Sequence, residues 1–178
     1  MKKILFILGS LREKSFNKQV AQHVSQLLEG KAEVEWLNYV DLPFVNQDIE
    51  FPAPEPVARV RKEVMDADVL WVFSPEYNYS YPGHVKNLFD WLSRPLRADD
   101  PDKKTAIRGK KVVLTGIGGK NKTKDCREKQ TSLLDFLGAE VLPNQVGLMV
   151  NVEAWTTDVV VLDESQKQEL QEQVDAIL

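Results

Sequence analysis

The sequence predicts a single α/β domain in which a parallel sheet lies between layers of helices. Apolar runs of strand length alternate along the 178 residues with segments that have helical spacing. The strand runs are continuously apolar rather than alternating, as in strands that are covered on both faces. With 43% hydrophobic residues, the chain is long enough for one well-buried core and short for two. We therefore expect one domain over residues 1–178.

Apolar runs define the expected strands. Right-handed crossovers between such strands place helices on both faces of the sheet. In sheets of this kind ligands bind beyond the carboxyl ends of the strands, where the strand order reverses. The five expected strands are Ile4–Leu8, Val34–Tyr39, Val69–Phe73, Val112–Thr115 and Val141–Val150.

Caps and prolines mark the expected helices. The first carries an apolar face from Phe16 to Leu28 and is expected to end at Gly30, a natural C-cap. Prolines favour the first turn of a helix, and an aspartate is a good N-cap. The other helices are expected over 57–65 after Pro54 and Pro56, between Pro82 and Pro95, up to Gly138, and after Asp163.

The loop after the first strand has the chemistry of a phosphate site. The first N–H groups of a helix have no partner within it, and the helix dipole favours an anion there. Ser10, Ser15 and Asn17 can donate hydrogen bonds, Arg12 offers charged donors, and Gly9 is expected to allow a tight turn. The alternative is an ordinary loop in which Ser15 only caps the helix.

This loop fits neither of the common phosphate-binding patterns. The dinucleotide pattern needs three glycines and the Walker pattern needs Gly-Lys-Ser/Thr, whereas this loop has Gly9 and side-chain donors. A monophosphate is therefore favoured over a pyrophosphate or a triphosphate. This points towards FMN.

Two further loops follow strands that are expected to lie beside the first. The segment Ser74–Gly83 contains three tyrosines, whose hydroxyl groups need water or a partner, and suits a flat heteroaromatic ligand. Packing of this loop against a neighbouring subunit is the alternative. The segment Thr115–Lys120 contains three glycines, which let the backbone approach a ring or a phosphate.

Composition limits the possible partners. A formal net charge of −4 with interspersed acids and bases gives no basic stripe for nucleic acid. Cys126 is the only cysteine, so an intramolecular disulfide and a multi-cysteine metal site are excluded. No apolar stretch approaches the length of a membrane span or a secretion signal. We expect a cytoplasmic protein, without a metal, whose partners are small molecules and copies of itself.

Together these segments resemble the NADPH-dependent FMN reductase family of flavodoxin-like proteins. The resemblance rests on GSLR at Gly9–Arg12 with Ser15 and Asn17, and on PEYN at Pro75–Asn78, followed by Pro82-Gly83, Lys86-Asn87 and Asp90-Trp91. It implies a three-layer sandwich with strand order 2-1-3-4-5, a homodimer or homotetramer, and electron transfer from NADPH or NADH through FMN to flavin, quinone, azo or similar acceptors. By the same resemblance the cofactor-binding residues are Ser10, Arg12, Ser15 and Asn17 at the phosphate, Pro75, Glu76, Tyr77 and Asn78 at the isoalloxazine, and Gly116, Gly118 and Gly119 from the third loop.

The resemblance implies no catalytic residue, because hydride passes directly between the nicotinamide and the flavin. Tyr79 departs from the family pattern and is placed to narrow nicotinamide access. A non-catalytic FMN-binding electron carrier or redox sensor is therefore an alternative, as is an α/β interaction protein without flavin. Self-association is expected to involve Leu88, Phe89 and Trp91.

Overall fold

A computed structural model describes residues 1–178 as a parallel sheet with helices on both faces. No helix in it is both long enough and apolar enough to cross a membrane. The strands are β1 (Lys2–Leu8), β2 (Ala32–Trp36), β3 (Val69–Phe73), β4 (Lys111–Gly118), β5 (Glu140–Val141) and β6 (Val146–Met149). The helices are α1 (Phe16–Leu27), α2 (Glu55–Asp66), α3 (Gly83–Leu92), α4 (Lys124–Phe136), α5 (Ala154–Thr157) and α6 (Glu164–Asp175), with a short 3₁₀ helix at Gln47–Ile49.

The strand order is β2-β1-β3-β4-β5, and β6 also pairs with β4. This confirms the expected order 2-1-3-4-5, the flavodoxin-like arrangement, in which the order reverses between β1 and β3. Leu8 pairs with Phe73, and Phe73 pairs with Thr115. The carboxyl ends of β1 and β3 therefore align, while β4 continues beyond them to Gly118 and pairs there with β6.

Two hydrophobic cores fill the space between the sheet and the helices. One core packs α1 and α6 against the sheet face that carries Phe6, Trp71 and Phe73. The other packs α2, α3 and α4 against the face that carries Leu5, Ile7 and their neighbours. Both faces of β1 and β3 are covered, and every residue of β3 is buried. The continuous apolar runs of these strands follow from this double burial.

The structure corrects several expectations. The fifth apolar run forms two short strands, β5 and β6, because the chain leaves the ladder at Pro143, which has no N–H to donate. The one-turn helix α5 was not expected. Leu88, Phe89 and Trp91 are at most 1% exposed and fill the core behind α3, so the prediction that they mediate self-association is wrong.

Candidate functional site

A cleft of about 500 Å³ lies at the carboxyl ends of β1, β3 and β4. All three loops that the sequence predicts to converge contribute to it, together with the segment around α5. The cleft is lined by Ser10, Arg12, Ser15, Phe16, Asn17, Pro75, Glu76, Tyr77, Ile117, Gly118, Gly119, Lys120, Asn121, Thr123, Trp155 and Asp158.

The N-terminus of α1 forms one end of the cleft. The Ser15 hydroxyl caps the helix by accepting a hydrogen bond from the Lys18 N–H at 3.3 Å. The backbone N–H groups of Phe16 and Asn17, in the first turn, have no hydrogen-bond partner. Two unpaired donors and the positive end of the helix dipole therefore line this end of the cleft, where an anion is stabilised.

Asn17 ties this helix to the sheet. Its side chain is 3% exposed, its Oδ1 accepts from the Ile117 N–H at 3.1 Å, and its Nδ2 donates to the Ile117 carbonyl at 3.2 Å. These two backbone groups point to the side of β4 on which β3 has already ended. The Asn17 carboxamide therefore takes the place of a neighbouring strand, and one Nδ2 hydrogen stays available to the cleft.

Arg12 is held at the mouth of the cleft by two neighbours, Asp158 and Phe16. Its Nη1 donates to Asp158 Oδ1 at 2.5 Å, and its guanidinium lies 4.8 Å from the centre of the Phe16 ring. The Phe16 ring in turn meets Trp155 edge-on, with 5.4 Å between the ring centres. Because it accepts this hydrogen bond, the pKa of Asp158 lies below its ordinary value, so the carboxylate is charged at neutral pH.

Glycines bring the three loops into contact. A Cβ on Gly9 would stand 2.6 Å from Ser74 Oγ, and a Cβ on Gly116 would stand 2.1 Å from Thr123 Oγ1. Gly9 has no positive φ, so it is required for close packing and not for the tight turn expected from the sequence. Gly116 lies within β4 behind Thr123 and does not line the cleft. A Cβ on Gly119 would meet nothing within 4 Å, which leaves that backbone open.

The tyrosine-rich loop turns sharply outside the cleft. Tyr77 and Ser80 exchange two backbone hydrogen bonds, at 2.8 and 3.1 Å, around Asn78 and Tyr79. Asn78 and Tyr79 have φ values of 51° and 59°, the combination of a type I′ turn. Tyr79 is 69% exposed, and neither it nor Asn78 lines the cleft.

Glu76 joins the second loop to the third. Its Oε2 accepts from the Cys126 N–H at 2.9 Å, and its Oε1 accepts from Asn121 Nδ2 at 2.9 Å. Cys126 lies in the first turn of α4, so the Glu76 carboxylate caps that helix and interacts favourably with its dipole. The two loops that border the cleft are therefore held at a fixed separation by one carboxylate.

Cys126 and His84 take no part in the cleft chemistry. Burial raises the pKa of the Cys126 thiol to about 11, and its Sγ lies 3.4 Å from the Pro75 carbonyl oxygen. Cys126 is thus a structural residue, as the sequence indicates. His84 stacks on Tyr39 with ring centres 5.9 Å apart and does not line the cleft; burial lowers its pKa.

The structure brings most of the predicted site residues together. Those that line the cleft are Ser10, Arg12, Ser15, Asn17, Pro75, Glu76, Tyr77, Gly118 and Gly119; Asn78 and Gly116 do not. Sequence reasoning missed Asp158 and Trp155, which follow the last strand. Gln19 holds the backbone at Asp158, and Trp155 meets the ring of Phe16; no local pattern indicates either contact.

Residues 2–152 match a family model described as NADPH-dependent FMN reductase. A solved flavoenzyme NAD(P)H:(acceptor) oxidoreductase from Paracoccus denitrificans superimposes with a TM-score of 0.85 at 30% identity. That match covers 99% of this chain and 94% of the other.

Curated relatives include quinone reductases. A quinone reductase of Escherichia coli K12 is 34% identical over 149 residues, covering 78% of this chain and 72% of the relative. A 2-hydroxy-1,4-benzoquinone reductase of a Burkholderia species is 40% identical over 93 residues, covering 52% of this chain and 51% of the relative. The match thus spans about half the length of the Burkholderia protein.

Proposed function

Because the chain belongs to the NADPH-dependent FMN reductase family, we propose that it is an NAD(P)H-dependent oxidoreductase that binds FMN in the cleft. It would pass two electrons from NADPH or NADH to a small acceptor such as a quinone, a flavin or an azo compound. The observation that carries this proposal is the convergence of the phosphate loop and the PEYN loop on one cleft of about 500 Å³, a volume usual for cofactor sites.

The residues at the α1 end fit a phosphate monoester. The unpaired N–H groups of Phe16 and Asn17 supply two donors, and the hydroxyls of Ser10 and Ser15 can supply two more. Arg12 adds a positive charge on the solvent side. A phosphate bound there replaces water on groups that have no other partner, which is the condition for a favourable anion site.

The opposite part of the cleft fits a flat ring. Pro75, Glu76 and Tyr77 form one wall, and Gly118 and Gly119 form another with no side chain in the way. The backbone N–H of Tyr77 is already used by Ser80, so the second loop keeps its shape whether or not a ligand is present. A rigid wall of this kind lowers the entropic cost of ordering a planar cofactor.

Bound FMN would supply the redox chemistry, accepting and donating a hydride equivalent at its ring. The protein's contribution is to hold the ring and leave one of its faces accessible to donor and acceptor. The carboxylate of Glu76 is committed to the Cys126 N–H and Asn121, so it is not proposed as a proton carrier. No other acid or base is assigned a catalytic role.

The test is an anaerobic absorbance titration of the FMN-loaded protein with NADPH and then NADH, followed by a quinone. We expect bleaching of the flavin band by at least one nicotinamide and its return with the quinone. Ser10→Ala should weaken FMN binding, whereas Ser132→Ala on the exposed face of α4, whose hydroxyl bonds the Glu128 carbonyl, should not. A protein that takes up no FMN would refute the proposal.

The electron-carrier alternative depends on Tyr79 obstructing the nicotinamide. Tyr79 is 69% exposed and does not line the cleft, which favours the enzyme over the carrier. The same titration separates the two functions, because a carrier would stay yellow when NADPH or NADH is added.

We also propose a cytoplasmic homodimer or homotetramer. Support comes from large apolar side chains at the surface, among them Phe44 and Phe136, each 85% exposed. Light scattering on the purified protein tests this proposal, and a mass equal to the 20.3 kDa of one chain would refute it.

A further inference from the structure

Asp158 brings a fixed negative charge to the end of the cleft that is proposed to hold the phosphate. Its carboxylate contacts Arg12 at 2.5 Å, and both side chains are partly exposed at the cleft mouth. Asp158 is also one of the cleft-lining residues. A carboxylate beside the one arginine of a phosphate site is unexpected, because it offsets the charge that attracts the ligand.

The backbone that carries Asp158 is fastened to α1. Gln19 Nε2 donates to the Asp158 carbonyl at 2.8 Å, and Gln19 Oε1 accepts from the Val160 N–H at 2.9 Å. The Asp158 N–H also closes α5 by donating to the Ala154 carbonyl at 2.9 Å. These three bonds hold the backbone at residue 158 beside the first turns of α1. The Asp158 carboxylate therefore lies within reach of Arg12.

We propose that Asp158 is an internal counter-anion that competes with the ligand phosphate for Arg12 and so lowers the affinity for FMN. This inference rests on the proposed function, since it assigns the phosphate of FMN to the α1 end of the cleft. A phosphate monoester carries between one and two negative charges at neutral pH. When it enters, it must share the guanidinium with Asp158 and lie near a second anion, and both effects oppose binding.

The consequence for function is a weaker hold on the phosphate of the cofactor. The unpaired N–H groups of α1 still bind the phosphate, while Asp158 prevents Arg12 from contributing its full strength. Flavins without a phosphate avoid this penalty entirely. Asp158 therefore narrows the difference in affinity between FMN and riboflavin. This makes Asp158 a specificity-determining residue of the site.

The test compares FMN and riboflavin binding to the wild type and to Asp158→Asn by fluorescence or calorimetric titration. Asparagine accepts the left-handed backbone at this position, where φ is 60°, and removes the charge at nearly constant shape. We expect the FMN dissociation constant to fall about three- to ten-fold, as suits a partly screened charge. Riboflavin binding should not change.

One control and one further variant make the outcome decisive. Asp175→Asn removes the same charge from the exposed end of α6, where the carboxylate accepts from Gln171, and should change neither affinity. Asp158→Gly, which also tolerates this backbone, should reproduce the Asp158→Asn result if that variant folds poorly.

An equal or weaker affinity for FMN in both Asp158 variants would overturn the inference and make Asp158 an orienting partner of Arg12. An equal gain for riboflavin would overturn it as well, because the effect would not involve the phosphate. If the wild type binds neither flavin, the proposed function fails instead.

Discussion

Asn17→Ala should destabilise the fold as well as the site. The side chain is 3% exposed and makes two hydrogen bonds to the backbone of Ile117, at 3.1 and 3.2 Å. Ile117 is 2% exposed but lines the cleft beside Asn17, so water replaces the lost partner only in part. Each buried backbone group left without a partner costs about 1–3 kcal/mol. Allowing for partial relaxation, we expect the free energy of unfolding to fall by about 2–4 kcal/mol.

Urea denaturation followed by tryptophan fluorescence measures this loss, and a thermal melt should show a decrease on the order of 10 °C for a domain of this size. Ser10→Ala is the matched control. Its hydroxyl accepts only a long bond of 3.4 Å from the Arg12 N–H, so its removal should lower FMN affinity with little loss of stability. A change of less than about 0.5 kcal/mol in Asn17→Ala would refute the argument that this amide replaces a strand.

Three further results are expected. Gly116→Ala places a Cβ 2.7 Å from a backbone oxygen and should lower stability by about 1–3 kcal/mol in urea denaturation, whereas Gly119→Ala, with nothing within 4 Å, should be neutral; equal effects would contradict the packing argument. Arg12→Ala should weaken FMN binding by about 1.5–3 kcal/mol in calorimetry, and unchanged affinity would remove Arg12 from the site. With its pKa raised to about 11, Cys126 should resist iodoacetamide at neutral pH unless the protein is denatured, as mass spectrometry can show.

The sequence predicted those features that depend on local pattern. The run Val69–Phe73 forms β3 with the same bounds, and Asp163 caps α6 with Gln166 in a capping box, because burial on both faces and helix capping leave direct marks in a sequence. The loop after β1 also leads into the start of α1 and lines the cleft, as the sequence indicates, because the strand, the hydroxyls and the helix start are contiguous.

The sequence could not reveal how polar side chains divide their hydrogen bonds between fold and ligand. Asn17 and Glu76 appear in the family pattern as site residues, yet most of their hydrogen-bonding capacity is used by Ile117, Cys126 and Asn121. Which partner they meet depends on the point where β3 ends relative to β4. That register is a tertiary property, and no spacing along the chain encodes it.

The residues of α3 that belong to the family pattern also divide their hydrogen bonds in this way. Asn87 binds the loop before α2 by accepting from the Val45 N–H at 2.9 Å and donating to the Pro43 carbonyl at 3.0 Å, and Trp91 Nε1 donates to that carbonyl at 2.7 Å. These residues contributed to the family resemblance without lining the cleft. A pattern that identifies a cofactor family can therefore consist partly of residues that hold the surrounding loops.

The cleft depends on side chains that stand in for missing backbone partners. Where β3 stops, Asn17 satisfies the exposed side of β4, and where α4 begins, Glu76 satisfies its first turn. The two N–H groups at the start of α1 have no such partner and remain free donors in the cleft wall. Because the neighbouring loops already have their bonds, an anion can bind there without rearranging them. The site is thus preorganised by the same residues that complete the fold.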